Sequence, residues 1–346
     1  MGTCLIRHNI NHGLIVPTLP PSTRACCHSV LFYNLLRAAN TWSKHVQALS
    51  GLIRTMRPRQ WTKNILFVFP ALIFDGQLFE LTPFLRVTFA ALLLILASGS
   101  VYIMNDLVDI EKDRAHPRKK NRPLPSGQLP VPLAIGTAIT LPIITVLIAF
   151  AWEPNLAAVL ITYLIVQVAY SFYLKNVVIL DVLTVTAGFM LRVIAGVVVI
   201  DVANFSPWLY ACSGLLALFL IVGKRRQEYV QLGEHALNTR PIFKNYNLPL
   251  LDDMLRMVMT STFITYVLYT IETDTVKMLD VNLTLLTVPF VIYGLFYYMY
   301  LIHVKGEGGA PDEVLLTDRN LQIDIALWGL TFVFLIYLLP AIINQP

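Results

Sequence analysis

The sequence is short of charge and of cysteine. Only 14% of its 346 residues are charged and 56% are hydrophobic, whereas about 25% of the residues in a soluble domain are charged. The mean hydropathy is correspondingly high, at +0.64. The four cysteines, Cys4, Cys26, Cys27 and Cys212, lack the spacing of metal ligands. This composition excludes an ordinary soluble domain and predicts a membrane protein.

Acidic residues are absent from the beginning of the chain, where the first is Asp75. A segment without acids but with scattered arginines is typical of a transit peptide. A disordered tail, or a start codon assigned too far upstream, gives the same pattern. We therefore expect residues 1–50 to form an N-terminal extension, disordered or a leader, and residues 51–346 to form a transmembrane domain.

Long apolar runs, by contrast, are abundant. A helix needs about 17 to 25 mostly apolar residues to cross a bilayer. Nine stretches qualify, at 64–80, 84–104, 130–151, 155–174, 180–200, 207–223, 255–273, 282–303 and 322–343, and Asp75 and Gly76 interrupt the first. The expected fold class is all-α, a polytopic membrane bundle of nine transmembrane helices.

The basic residues are distributed unevenly across these spans. If the N-terminus is cytoplasmic, all but three of the 26 Lys and Arg residues lie on the inner side, the exceptions being Arg86, Lys277 and Arg192. The positive-inside rule then places the N-terminus in the cytoplasm and the C-terminus outside. Topology accounts for the net charge of +5, so no nucleic-acid partner is expected. Because the inner segments 105–129 and 224–254 are long and charged, we expect a cytoplasmic site.

An acidic cluster follows the second span and consists of Asn105, Asp106, Asp109 and Asp113. On a helix, Asp109 and Asp113 lie about 60° and 20° from Asp106, with Asn105 about 100° away. Three carboxylates on one face repel each other unless a cation neutralises them, and Mg²⁺ prefers such oxygen ligands together with substrate phosphates. The cluster predicts a Mg²⁺–diphosphate site, with the three aspartates as metal ligands and catalytic residues. A solvated helix end with local ion pairs is the alternative.

Basic and intramembrane polar residues complete the candidate site. Arg and Lys on the same face are expected to bind phosphate oxygens, although each could serve only to fix topology. These are Arg57, Arg59, Lys63, Arg118, Lys119, Lys120, Arg122, Lys175, Lys224, Arg225 and Arg226. Arg192 lies within a span, where an ionisable residue indicates function by default. Asp181 shares nearly the same face, which suggests a polar stripe, and a purely structural arginine is the alternative.

The motif NDxxDxxxD, at the end of the second of nine spans, resembles that of the UbiA superfamily of intramembrane prenyltransferases. Other segments resemble its decaprenyl-phosphate phosphoribosyltransferase branch. They are Arg57 to Asn64, Asp113 to Pro117, Asn121 to Pro123, Tyr170 to Lys175, Leu191 to Gly196, Gly223 to Arg225 with Glu228, and Glu313 to Arg319. The resemblance covers residues 53–343, nearly everything after the N-terminal extension.

The resemblance implies a UbiA-like catalytic domain that uses Mg²⁺ to transfer 5-phosphoribose from phosphoribosyl diphosphate to a polyprenyl phosphate, releasing pyrophosphate. It further implies a homo-oligomer, such as a trimer, within the lipid bilayer of a bacterial or archaeal cell membrane, with a role in cell-wall biosynthesis. The substrate-binding residues it implies are Arg59, Lys63, Asn105, Arg118, Arg122, Tyr170, Lys175, Asp181, Arg192, Lys224, Arg225 and Glu228.

One segment departs from the general prenyltransferase pattern. Where the superfamily has a second Asp-rich motif after the sixth span, this chain has the basic run from Lys224 to Glu228. A basic segment there would receive the additional 5-phosphate of phosphoribosyl diphosphate. The nearest alternative is a UbiA-type prenyltransferase that joins a polyprenyl diphosphate to an aromatic or other acceptor, for which Asp181 or Glu228 alone is a poor second cluster. A transporter lined by Arg192 and Asp181, or a non-catalytic assembly subunit, are further alternatives.

Overall fold

The computed structural model describes residues 46–115, 119–202, 206–232, 241–273, 277–278, 281–306, 314–315 and 317–343. Most of this described chain is helical. A short antiparallel pair of strands, β1 (Lys277–Met278) and β2 (Val281–Asn282), joins two of the helices. The predicted all-α membrane bundle is therefore confirmed.

The helices run up and down between two ends of the bundle. They are α1 (46–55), α2 (Trp61–Val68), α3 (Pro70–Phe74), α4 (Leu81–Val108), α5 (Ile110–Ala115), α6 (Val131–Trp152), α7 (Pro154–Phe172), α8 (Leu180–Val197), α9 (Pro207–Leu232), α10 (Leu248–Glu272), α11 (Val288–Tyr300), α12 (Arg319–Val333) and α13 (Leu339–Ile343). A π-helical turn continues α11 over Leu301–Lys305, and another joins α12 to α13 over Phe334–Leu338.

Eight helices in the described residues are long and apolar enough to cross a membrane, one fewer than the sequence predicts. The difference lies in the first predicted span, 64–80, which is not one continuous helix. It is divided into α2 and α3 at Phe69. Pro70 has no backbone N–H to donate, and its ring clashes with the carbonyl of the preceding helical turn, so a new helix begins there. Gly76, with a φ of 78°, ends the segment in a turn. The ninth span stays a prediction.

Helix α4 lies at the centre of the bundle. In the most apolar segment of α4, 67% of the residues are buried, whereas in that of α6 only 17% are buried. Helix α4 therefore lies inside the bundle and α6 at its surface. The main core cluster packs α4 residues such as Leu94 against Leu72 of α3, Leu160 of α7 and Ala195 of α8. The end of α4, which carries the acidic cluster, is thereby held among several helices rather than at the periphery.

The helices are also joined at the end of the bundle opposite the acidic cluster. Arg86, at the start of α4, donates from Nε to the carbonyl of Val199 at 2.5 Å and pairs with Glu153 at 3.2 Å. Gln77 Nε2 donates to the carbonyl of Asp201 at 2.7 Å. These contacts anchor the start of α4 to the ends of α6 and α8, so the two ends of α4 have different partners.

Two predicted boundaries are wrong. The sequence places the run from Lys224 to Glu228 in a loop, but α9 continues to Leu232 because Lys, Arg, Gln and Glu are good helix formers and no proline intervenes. The next helix begins at Leu248, earlier than the predicted 255, since the Asn247 side chain accepts from the Leu250 amide at 2.8 Å and caps it.

The division at residue 50 falls within helix α1, so the part of the expected N-terminal extension over 46–50 is helical. The rest of that extension, residues 1–45, lies outside the described residues. Its assignment as a leader or disordered segment stays a prediction.

Candidate active site

The acidic cluster lies where α4 gives way to α5. Helix α4 ends at Val108 and Asp109 has a φ of −93° and a ψ of 7°, after which α5 begins. The helical hydrogen bonds nevertheless persist, since the Asp109 amide donates to Asn105 at 3.0 Å and the Asp113 amide donates to Asp109 at 2.8 Å. The chain therefore keeps a nearly helical path through the motif, and Asp106 and Asp113 stay on one side of it.

Asp106 and Asp113 are both buried, with 3% and 2% of their surface exposed. Arg122 joins them, because its Nη1 lies 2.6 Å from Asp113 Oδ2 and 3.3 Å from Asp106 Oδ1. Lys119 Nζ lies 3.9 Å from the other Asp113 oxygen. Buried carboxylates require such cationic partners, since an uncompensated charge out of water is strongly unfavourable. Asp106 and Asp113 of the acidic cluster thus form one electrostatic unit with Lys119 and Arg122.

Arg57 is a second partner of Asp106, and its position rests on an unusual turn. Its Nη2 donates to Asp106 Oδ1 at 2.7 Å, and its guanidinium lies 4.7 Å from the centre of the Tyr102 ring. The Arg57 backbone is left-handed, with φ 55° and ψ 69°, between α1 and the turn that starts α2. A non-glycine residue rarely adopts this conformation, which costs about 1–3 kcal/mol and recurs at functional sites. The turn directs a cation into the acidic cluster.

Asp109 is oriented differently from the other two aspartates. Its side chain is 40% exposed, and the nearest cation is Lys112, at 4.0 Å. Among the described residues, no three acidic, histidine or cysteine side chains converge closely enough to hold a metal ion. The residues present still fit Mg²⁺, because carboxylate oxygens are the ligands it prefers. Oxygens of Asp106 and Asp113 already bind positively charged groups, the guanidinium groups of Arg57 and Arg122. Asp106, Asp109 and Asp113 are the residues that would hold it.

A second cluster contains several of the other predicted site residues. Asp181, which is fully buried at the start of α8, accepts from Arg225 Nε of α9 at 2.9 Å. Arg225 also contacts Glu228 at 3.1 Å and the hydroxyl of Tyr170 at 3.3 Å. The sequence predicts substrate-binding roles for all four residues. The structure joins them to each other, with one guanidinium shared between two carboxylates.

Tyr246, which the sequence did not single out, completes this second cluster. Its hydroxyl donates to Asp181 at 2.7 Å and accepts from the Ile179 amide at 2.9 Å. Burial, together with the hydrogen bond to Asp181, raises the pKa of Tyr246 to about 12. Ile179 has a φ of 66°, which is rare for a β-branched residue. Tyr246 thus stabilises both the buried carboxylate and a strained turn at the start of α8.

Arg192 lies within the span α8, as predicted, and its hydrogen-bond partners in the described part of the chain are all neutral. Nε donates to Asn64 of α2 at 2.6 Å, Nη1 to the Gly188 carbonyl at 2.6 Å, and Nη2 to the Tyr163 hydroxyl at 2.9 Å. The guanidinium also lies between the rings of Tyr163 and Phe189, at 4.9 and 5.1 Å. Arg192 therefore ties three helices together, and Asp181 pairs with Arg225 rather than extending a polar stripe toward it.

The remaining predicted residues lie on several different elements. Arg59 is exposed in the turn before α2, and Lys63 is half-buried one turn later. Lys175 is half-buried in the 3₁₀ turn after α7, and Lys224 is half-buried on α9. Next to Lys224, Arg226 pairs with Asp252 at 2.5 Å. Asn105 is half-buried on the last turn of α4, and the predicted Arg118 lies outside the described residues.

Arg57 is the main residue that sequence reasoning undervalued. It belongs to the basic residues of the predicted face, but nothing in the sequence distinguishes it from Arg59. The left-handed backbone at Arg57 separates them, because it directs one arginine to Asp106 and leaves the other exposed. Pro58 disfavours a right-handed helical conformation at Arg57, but it predicts an extended backbone there rather than the left-handed one that the structure has.

The fold and the acidic cluster define a polytopic membrane protein with buried carboxylates and basic residues at one end of a helical bundle. The sequence model of the UbiA prenyltransferase family matches residues 65–312. The chain belongs to this family of membrane transferases, which confirms the resemblance seen in its motifs.

Curated relatives resemble the chain over most of its length. It is 34% identical over 292 residues to the decaprenyl-phosphate phosphoribosyltransferase of Mycolicibacterium smegmatis, covering 81% of this chain and 90% of the relative. It is 30% identical over 298 residues to the enzyme of that name from Corynebacterium glutamicum, covering 84% and 88%.

Solved structures share the fold. The structure of a UbiA homolog from Archaeoglobus fulgidus bound to GPP and Mg²⁺ aligns with a TM-score of 0.61, at 19% identity, over 83% of this chain and 99% of that one. A digeranylgeranylglyceryl phosphate synthase aligns with a TM-score of 0.60 at 17% identity, over 84% and 99%.

Proposed function

We propose that the protein transfers 5-phosphoribose from phosphoribosyl diphosphate to a polyprenyl phosphate, releasing pyrophosphate, in a Mg²⁺-dependent reaction at the acidic cluster. The similarity to decaprenyl-phosphate phosphoribosyltransferases carries this proposal, because it reaches 30–34% identity and spans 81–84% of the chain. The acidic cluster supports it independently, since it places carboxylates for a metal beside cations for phosphate oxygens.

The residues of the cluster suit a displacement at the anomeric carbon. Mg²⁺, when bound by Asp106, Asp109 and Asp113, supplies charge neutralisation for the leaving pyrophosphate. Arg57 and Arg122 donate to its oxygens and stabilise the charge that develops as the bond between the anomeric carbon and the diphosphate oxygen breaks. A phosphate oxygen of the lipid forms the new bond. Because that oxygen is already anionic, the reaction needs no general base.

The second cluster modifies the expectation for the 5-phosphate. From sequence, the basic run Lys224 to Arg226 is the expected receptor of this group. Arg225 and Arg226, however, already pair with carboxylates of the protein, at 2.9 Å and 2.5 Å. Their positive charges are therefore already compensated within the protein, which weakens the case for either arginine as the receptor of a further anion. Support for the phosphoribosyl donor therefore comes from the relatives rather than from this run.

The geometry of the second cluster also favours one alternative. Asp181 and Glu228 converge on Arg225, so the chain has a second pair of carboxylates beyond the acidic cluster. A UbiA-type prenyltransferase that uses a polyprenyl diphosphate would need such a pair to hold a second metal ion. Arg225 already neutralises the pair, which makes this the second candidate rather than the first.

Labelled substrate distinguishes the two candidates. The purified full-length protein, in detergent with Mg²⁺, is incubated with phosphoribosyl diphosphate labelled in the ribose and with a polyprenyl phosphate. We expect label in the organic phase and one equivalent of pyrophosphate per labelled lipid. Label that stays in the aqueous phase, together with product formation from a polyprenyl diphosphate and an aromatic acceptor, would establish the alternative instead.

The same proposal includes the location of the reaction. The charge asymmetry of the sequence supports a position of the acidic cluster on the cytoplasmic side of a bacterial or archaeal cell membrane, where a soluble sugar diphosphate is available. Cysteine substitution at Lys112, whose side chain is 87% exposed, tests this side. A membrane-impermeant maleimide should label Lys112→Cys in inverted vesicles and not in intact cells, and the reverse pattern would contradict the orientation.

A further inference from the structure

Two arginines share a carboxylate oxygen of the acidic cluster. Asp106 Oδ1 lies 2.7 Å from Arg57 Nη2 and 3.3 Å from Arg122 Nη1, and the same Arg122 nitrogen lies 2.6 Å from Asp113 Oδ2. The side chains of the two aspartates are only 4% and 3% exposed. In this arrangement one oxygen of each buried carboxylate already lies within hydrogen-bond distance of a guanidinium group.

Positive charges already compensate the two buried carboxylates without a metal ion. Asp106 and Asp113 carry two negative charges, Arg57 and Arg122 carry two positive charges, and Lys119, 3.9 Å from Asp113, adds a third. A divalent cation added alone would displace guanidinium groups from the carboxylates and leave them beside the new charge, which is unfavourable in a partly buried site. A diphosphate that arrives with the metal removes this difficulty, because its oxygens are good acceptors for the displaced arginines.

Both arginines are able to make this exchange. Their side chains are 36% and 33% exposed, in contrast to the aspartates, so they can move without opening the core. Arg57 also lies on the Tyr102 ring, which can hold the guanidinium while its hydrogen bonds change. Its strained left-handed backbone keeps the Arg57 side chain directed toward Asp106.

We propose that Arg57 and Arg122 are exchangeable counter-ions of the acidic cluster. Without ligands they occupy Asp106 and Asp113, and they move to the diphosphate oxygens when a divalent cation and a diphosphate bind. The metal and the diphosphate therefore bind cooperatively, and the metal alone binds weakly. This inference rests on the proposed use of the cluster as a metal–diphosphate site, but it does not depend on which group the diphosphate carries.

Metal binding without substrate tests the exchange. Mn²⁺ binding to the full-length protein in detergent is measured by electron paramagnetic resonance, first alone and then with inorganic pyrophosphate. Loss of one charged hydrogen bond changes an affinity by about 10- to 100-fold. We expect Arg57→Ala to bind Mn²⁺ alone at least about tenfold more tightly than the unmodified protein, and the Mn²⁺–pyrophosphate complex at least about tenfold more weakly.

Two further variants separate exchange from a general effect of charge or folding. Arg114→Ala removes a nearby positive charge that pairs with Glu111, so it frees none of the three predicted metal ligands and its Mn²⁺ affinity should rise much less than that of Arg57→Ala. Arg122→Gln frees oxygens of both buried aspartates and should reproduce the opposite shifts expected for Arg57→Ala. Circular dichroism identifies any variant that fails to fold.

Weaker binding of Mn²⁺ alone by both Arg57→Ala and Arg122→Gln, or an effect equal to that of Arg114→Ala, would overturn the exchange. Failure of phosphoribosyl transfer would leave these measurements unchanged, because they use only Mn²⁺ and pyrophosphate. The exchange and the proposed reaction can therefore fail separately.

Discussion

Loss of Arg225 should destabilise the protein more than loss of any exposed cation. The Arg225 side chain is 5% exposed and that of Asp181 is fully buried, and the two link α9 to α8 at 2.9 Å. Removing one partner of a buried pair leaves an uncompensated charge and costs about 3–5 kcal/mol. We therefore expect Arg225→Met to lower the free energy of unfolding by this amount.

Arg256 provides a matched control. It pairs with Asp253 at 2.7 Å, within a single helix, and the two side chains are 57% and 71% exposed. Exposed pairs of this kind contribute about 0–1 kcal/mol because water already solvates both charges. Arg256→Met should therefore have an unfolding free energy within about 1 kcal/mol of that of the unmodified protein.

A third variant tests the cause of the loss. In Arg225→Met/Asp181→Asn the buried carboxylate is replaced by a neutral amide, so much of the lost stability should return. Unfolding of the detergent-solubilised protein, followed by tryptophan fluorescence, measures all three variants. Equal stabilities of Arg225→Met and Arg256→Met would refute the reasoning, and so would a double variant no more stable than Arg225→Met.

Four further substitutions, one of them a control, test other parts of the bundle by the same measurement. A methyl group on Gly196 would overlap the carbonyl oxygen of Val68, so Gly196→Ala should cost about 1–3 kcal/mol or more; Gly136→Ala meets open space and should cost nothing. Tyr246→Phe removes a hydrogen bond to a buried carboxylate and should cost about 1–3 kcal/mol. Arg192→Met leaves the buried oxygens of Asn64 and Tyr163 without this donor, at about 1–3 kcal/mol each, so it should cost more than Tyr246→Phe; an equal or smaller cost would contradict this role of Arg192.

The sequence predicts much of this fold because lipid imposes a simple requirement on length and polarity. Eight of the predicted spans correspond to helices of spanning length in the described residues. The predicted span over 64–80 differs from the observed helices because the apolar composition of this segment does not reveal the helix break at Pro70. The end of α9 was also misplaced, because a run of charged residues ends a membrane span without ending its helix.

The acidic cluster is partly predictable for a similar reason. Asp106 and Asp113 lie on one side of a helical path, and the structure brings them to one cation. That cation, Arg122, is among the predicted site residues, whereas Arg57, the second cation on Asp106, is not predictable, since it is 49 residues from Asp106 and reaches it through a left-handed turn. The pairing of Asp181 with Arg225, 44 residues away, is likewise a tertiary contact that no local pattern contains.

A comparison of two acidic residues tests the central claim most directly. Asp109→Asn removes a predicted metal ligand, whereas Glu111→Gln removes an exposed carboxylate, two residues away, that pairs only with Arg114 in the described structure. Both are measured by transfer of labelled phosphoribose to a polyprenyl phosphate. We expect a loss greater than about 100-fold for Asp109→Asn, because even the supporting groups of metal ligands contribute about 10- to 100-fold, and nearly full activity for Glu111→Gln. Equal activities of the two variants would contradict a metal–diphosphate site at the acidic cluster.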